Sequence, residues 1–121
     1  MSNIMSTVHI GSACELLVIF ARAAEGRREE FVSWYDTVHV PEILAAFPEL
    51  TEAVRYDLSD IQPHSEANPF GELAEGRPFD SVAVYRVHGS AREVWARIRT
   101  CELTRSDAFD YSNLGVLFAT A

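Results

Sequence analysis

Two uninterrupted apolar runs, Leu16-Leu17-Val18-Ile19-Phe20 and Leu114-Gly115-Val116-Leu117-Phe118-Ala119, limit the fold more than any other feature of this chain. Each is short enough for a strand and presents apolar side chains to both faces of whatever sheet it joins. Between the two runs, helix and strand patterns follow one another in the order β-α-β-β-α-β. Right-handed crossovers then put both helices on the same face of one antiparallel sheet. A single helical layer covers one face only, so the apolar residues of the opposite face need a second cover. A second sheet from another copy of the chain supplies it, because a large exposed apolar patch on a globular protein usually marks an interface. The expected fold class is therefore α+β, a βαββαβ protomer that forms a homodimer through its open sheet face.

Residues 1 to 12 show no periodicity and read as a flexible lead-in, which leaves 13 to 121 as a single domain. A helix is predicted from about Arg27 to His39, and a second helical piece from Pro41 to Phe47, with Pro41 at a first helical position. Thr51 to Asp60 alternates as a strand, with Val54, Tyr56 and Leu58 on one face and Ala53, Arg55 and Asp57 on the other. Ile61 to Pro78 is longer than the usual limit of about 12 to 15 residues for a connection. It reads as a pocket wall or interface arm, with a short helical turn near Gly71 to Glu75 and with Phe70 and Leu73 covering a cavity. Phe79 to Val87 is the third strand. Ser90-Ala91-Arg92-Glu93 fits the capping box that opens a helix. Ala91, Val94, Trp95 and Ile98 form that helix's apolar face.

Composition narrows the partners. The 121 residues are 48% hydrophobic and 23% charged, ordinary values for a folded domain. Ten basic residues, all arginine, stand against eighteen acidic ones, for a net charge of −8. Such a balance argues against nucleic acid, which is held by concentrated basic surface. No apolar run approaches the roughly 18 residues of a membrane span, and Met1 to Cys14 does not read as a secretory signal. Cys14 and Cys101 lack C-x-x-C spacing and read as reduced, buried thiols in a cytoplasmic protein.

The chemistry concentrates in Phe31-Val32-Ser33-Trp34-Tyr35-Asp36-Thr37-Val38-His39-Val40-Pro41. Phe31, Trp34, Tyr35 and Val38 make an apolar stripe. Pro41 disfavours helical geometry at Val40, so the helix is expected to end near His39. An imidazole at a helix C-terminus, three residues from Asp36 and four from Tyr35, is stabilised as a cation that exchanges protons near neutral pH. His39 is thus the candidate acid or base, Asp36 its orienting carboxylate, and Tyr35 a donor to a substrate oxygen; His39 reads equally as a helix-end cap or a hydrogen-bond donor to a carbonyl, Asp36 as a solvated surface acid, and Tyr35 as plain core. Trp34 is a candidate for stacking on a ring, though an aromatic at helical spacing also reads as plain core. Arg55 and Tyr56 point to opposite faces, so one of them enters a given pocket. His88, beside Gly89, also reads as a turn residue; with Phe70 it completes the candidate substrate-binding set. No motif calls for a flavin, a nicotinamide or a phosphate loop, and histidines 39, 64 and 88 with Asp36 lack ligand spacing for a metal. The expectation is no cofactor.

Phe31-x-x-Trp34-Tyr35-x-x-x-His39-x-Pro41, followed by Arg55-Tyr56 on the second strand, resembles the EthD-type family of dimeric α+β barrels. The resemblance implies a ferredoxin-like protomer that pairs sheet to sheet, with a small-molecule pocket between sheet and helices. It also implies a cofactor-independent enzyme acting on a small aromatic, polyketide-like or lactone compound, as a lyase, cyclase or isomerase using His-assisted proton transfer. Two other readings stay open: a non-catalytic small-molecule-binding accessory protein, and a cofactor-free monooxygenase.

Overall fold

A computed structural model describes residues 14–59, 67 and 79–121. The N-terminal lead-in, His64, Phe70 and nearly all of the Ile61 to Pro78 loop lie outside the described residues. The described chain is an α+β unit, with a four-stranded antiparallel sheet ordered β2-β3-β1-β4. Its strands are β1 (Glu15–Ala23), β2 (Leu50–Asp57), β3 (Ser81–Val87) and β4 (Phe109–Thr120). Helix α1 (Arg28–Trp34) passes through a π-helical turn (Tyr35–His39) into α2 (Val40–Ala46), and α3 (Ala91–Ile98) joins β3 to β4. This arrangement is compatible with a ferredoxin-like fold.

Alternation along the strands decides which face is covered. Leu17, Ile19 and Ala21 of β1 and Ala83, Tyr85 and Val87 of β3 are buried, and they pack with Phe31, Tyr35 and Ile43 of the first helical run and Ala91, Val94 and Ile98 of α3. The expected apolar face of α3 is therefore the buried one. Its N-terminus is capped as the sequence suggested, with the Ser90 hydroxyl accepting from the Glu93 amide at 3.1 Å. The Ala91 amide donates to Glu15 of β1 at 2.8 Å, which ties the helix start to the sheet.

Among the described residues, no helix covers the opposite face. Leu16, Val18 and Phe20 are half-buried there, while Val54, Tyr56 and Leu117 are exposed. Phe79 folds over part of this face, its ring 5.5 Å from that of Phe20. A Cβ at Gly115 would meet Phe79 at 3.1 Å, so glycine there permits the close approach.

Four expectations are corrected. Pro41 does not end the helix: His39 and Val40 keep right-handed helical backbone, and the run continues to Ala46. Proline has no N–H to give the Thr37 carbonyl, and its ring crowds that carbonyl. The chain responds by widening, and the Val40 amide reaches back five residues to the Tyr35 carbonyl. The changed register also swings Val38 off the apolar stripe into solvent. Strand β4 starts at Phe109, five residues before the apolar run, since β1 goes on pairing with it across an irregularity between Ala21 and Ala23. Cys14 is half-buried and Cys101 exposed in the turn after α3, so neither is a core residue.

Candidate functional site

The π-helical turn gathers the predicted residues on the helical face of the sheet. Tyr35 points inward, 1% exposed, and its hydroxyl lies 3.3 Å from that of Tyr85 on β3, itself fully buried. That is long for a hydroxyl pair. One hydroxyl hydrogen is used within the pair, and the other remains available to a third group. Burial pushes Tyr35 up to about 12 and Tyr85 well above its ordinary value, so both stay protonated at neutral pH.

Asp36 does not orient His39. Both of its carboxylate oxygens accept from Arg55, Oδ1 from Nε at 2.6 Å and Oδ2 from Nη2 at 3.1 Å, while Arg55 Nη1 donates to Asp57 at 2.7 Å. A guanidinium offers a planar fork that matches a carboxylate, and a single imidazole N–H cannot compete for both oxygens. Arg55 thereby bridges β2 to the π-helical turn. Its hydrogen bond to Asp36 raises its pKa further.

The His39 ring lies 4.7 Å from the Tyr35 ring and is stacked on Trp34 at 4.8 Å. Trp34 in turn meets Phe109 edge-on at 5.7 Å. Since the helix does not end at His39, no C-terminal dipole supports an imidazolium there. Burial instead lowers the His39 pKa to about 4, with Glu42 offsetting part of the shift. The expected cation is a neutral imidazole at pH 7. Its Nδ1 and the indole Nε1 of Trp34 are both buried without a hydrogen-bond partner among the described residues. Groups of this kind are uncommon in folded proteins and call for a reason.

The remaining candidates separate by face. Tyr56 lines a concavity of about 300 Å³ on the open face, with Leu16, Glu52, Val54, Val84 and Arg86. Arg55 lies on the opposite face, in line with the expectation that strand alternation admits only one of the two to a pocket. The expected space between helix and sheet beside His39 is occupied by Tyr35 and Tyr85. His88 is exposed in the turn after β3, where its amide donates to the Glu49 carbonyl and Gly89 adopts φ +115°, so it takes the turn role. No group of histidine, cysteine and carboxylate side chains suited to a metal ion occurs among the described residues. Tyr85 was missed from the sequence; the one available signal was its position on the inward face of β3 among smaller residues. No protein-family model, curated protein or solved structure matches the chain.

Replacing Tyr85 with Phe leaves the buried Tyr35 hydroxyl unpaired and is expected to lower stability by about 1 to 2 kcal/mol. The double variant Tyr35→Phe/Tyr85→Phe should lose less than the sum of the two single variants, read from denaturant midpoints. The His39 shift has a defined sign. An unfolded imidazole binds its proton near pH 6.5, whereas the folded one waits until about 4. Stability is therefore lost as pH falls through that window and levels off below it. Between pH 6.5 and 5, before most carboxylates titrate, the loss should reach roughly 1 to 2 kcal/mol, and His39→Leu should flatten it.

Proposed function

We propose that the chain is a cofactor-independent enzyme that moves a proton on a small aromatic, polyketide-like or lactone compound, in a lyase, cyclase or isomerase step. The observation that carries this reading is the neutral, half-buried His39, whose buried Nδ1 has no hydrogen-bond partner among the described residues, set between the Trp34 ring and the hydroxyl-bearing Tyr35. A neutral imidazole is ready to accept a proton at pH 7, and once protonated in an apolar setting it is a strong acid for returning it. The Tyr35–Tyr85 pair, protonated throughout, offers its spare hydrogen to an oxygen on which charge develops. Arg55 and Asp36 hold the turn that carries these groups to the sheet.

We further infer that two copies associate through the open sheet face, as in the EthD-type barrels that the Trp34 to Pro41 motif resembles. Val54, Tyr56 and Leu117 are exposed on that face. Glu52 and Arg86 pair there at 3.3 Å, so the centre of the face is close to neutral on a chain of net charge −8. An acidic protein meets little self-repulsion at such a patch.

Deuterium exchange tests the catalytic reading. The methyl protons of acetophenone, an enolisable aromatic ketone, should exchange faster in D2O with the protein than without it. His39→Ala should reduce the acceleration by about 10² to 10⁴ while leaving the protein folded. A variant that keeps full acceleration would assign His39 to packing, and acetophenone binding without exchange would identify a binding protein. For the interface, sedimentation should give about twice the 13.5 kDa chain mass at micromolar concentration, and Val54→Asp should shift it to the monomer.

A further inference from the structure

We propose that the second half of β4 is an assembly edge, which takes β4 of a second copy of this chain in antiparallel register about a two-fold axis through Val116. This pairing is separate from that of the open faces and does not depend on it.

β4 stands last in the order β2-β3-β1-β4, so one of its sides has no strand beside it among the described residues. The Ala121 amide donates to the Cys14 carbonyl, and in the same register Ala119 lies opposite Leu16, Leu117 opposite Val18 and Gly115 opposite Phe20. Backbone polar groups alternate in direction along an antiparallel strand. The odd-numbered residues from Gly115 to Ala121 therefore bond to β1, and Leu114, Val116, Phe118 and Thr120 turn their N–H and C=O groups to the open side. Such a row is a template for another strand. The side chains of this half are uncovered as well. Leu114 and Phe118, on the helix-facing side, are 43% and 49% exposed, and Leu117, on the open face, is 53% exposed. Packing two sheets face to face leaves Leu114 and Phe118 in water, whereas a strand added at the edge brings side chains to both faces at once.

The sequence of the strand itself selects the occupant. With the axis at Val116, that residue meets its own counterpart, and it belongs to the outward-directed set, so the central pair can exchange both backbone bonds. Leu114 then lies opposite Phe118 of the second copy on the helix-facing side, an aliphatic–aromatic pair made twice by the symmetry. On the open face Leu117 lies opposite Gly115 of the second copy, where the Phe79 ring closes over the glycine and supplies an apolar wall. Ser112 lies opposite Thr120. The one charge of the strand, Asp110, falls outside the stretch from Ser112 to Thr120. On a chain of net charge −8 most surfaces repel a second copy, and this edge does not.

Backbone amide exchange, read residue by residue by NMR on the full chain, tests the proposal. Val54→Asp, a substitution on β2 at the far edge of the sheet, serves as the background because it removes association through the open face. In dilute solution the Gly115, Leu117 and Ala119 amides should be protected by β1, and the Leu114, Val116 and Phe118 amides should exchange freely. At about 1 mM the second set should slow by about threefold or more while the first set is unchanged. Phe118→Lys, which puts a charge on the edge, should abolish the slowing. Val116→Pro should do the same, since its ring removes an outward N–H and no bond to β1. Protection of the second set already present in dilute solution would mean that a segment of the same chain covers the edge, and exchange that stays fast at high concentration would mean that no second copy does. Either result overturns the proposal, as would slowing that survives both substitutions. Pairing of the open faces is read from sedimentation of the wild type, so the two interfaces stand or fall separately.

Discussion

One missing hydrogen shapes this protein: Pro41 has no amide proton to give the Thr37 carbonyl. The helix that would otherwise run evenly from Arg28 to Ala46 takes up the loss in a five-residue π-helical turn. Everything of chemical interest on the helical face is carried by that turn or packs on it. Tyr35 is driven into the core, Asp36 is presented to β2, and His39 is laid back over the Trp34 and Tyr35 rings. A wide turn of this kind is less favourable than α-helix and persists because packing on both sides fixes it. The Arg55 fork on one side and the aromatic stack on the other provide that fixing.

The site that results is polar chemistry under apolar control. Three kinds of group lie close together: a hydroxyl pair, an ion pair and an imidazole. Burial acts on each differently. It keeps the tyrosines protonated and the histidine neutral, because in both cases the charged form is the one that loses solvation. Arg55 stays charged because two carboxylates replace the water it gives up. Groups that burial holds neutral and charges fixed by pairing are thereby separated within one cluster, and the paired charges hold the geometry.

The sheet divides the molecule's roles by face. Side chains of one parity meet the helices and build the core, and those of the other parity form a surface of Val54, Tyr56, Val84 and Leu117 around a concavity. Strand β4 adds to this surface. It is an edge strand of twelve residues, and no charge occurs from Tyr111 to Ala121. Leu114 and Phe118 on its helix-facing side are exposed as well. Natural edge strands are usually shortened or charged to discourage pairing, whereas this one is long and carries its one charge, Asp110, at its N-terminal end.

Much of this was readable in the sequence. The apolar runs marked β1 and the second half of β4, period-two alternation separated Arg55 from Tyr56, and Ser90-x-x-Glu93 marked the start of α3. These are local signals, decided by the periodicity and hydrogen-bonding capacity of a few adjacent residues, so the sequence by itself determined the elements, their order and the residues from Trp34 to His39 as the centre of interest. The pairings within that centre were decided by the tertiary structure. Spacing alone put Asp36 with His39, three residues away, but a bidentate guanidinium from a strand nineteen residues on is the stronger partner once the fold brings it near. Tyr85 entered for the same reason, through a contact fifty residues long. The protonation of His39 depended on burial and on a helix that did not end where its proline stood. Solvation and long-range contact exist only once the chain is folded, which is why the tertiary structure alone could reverse the expected charge.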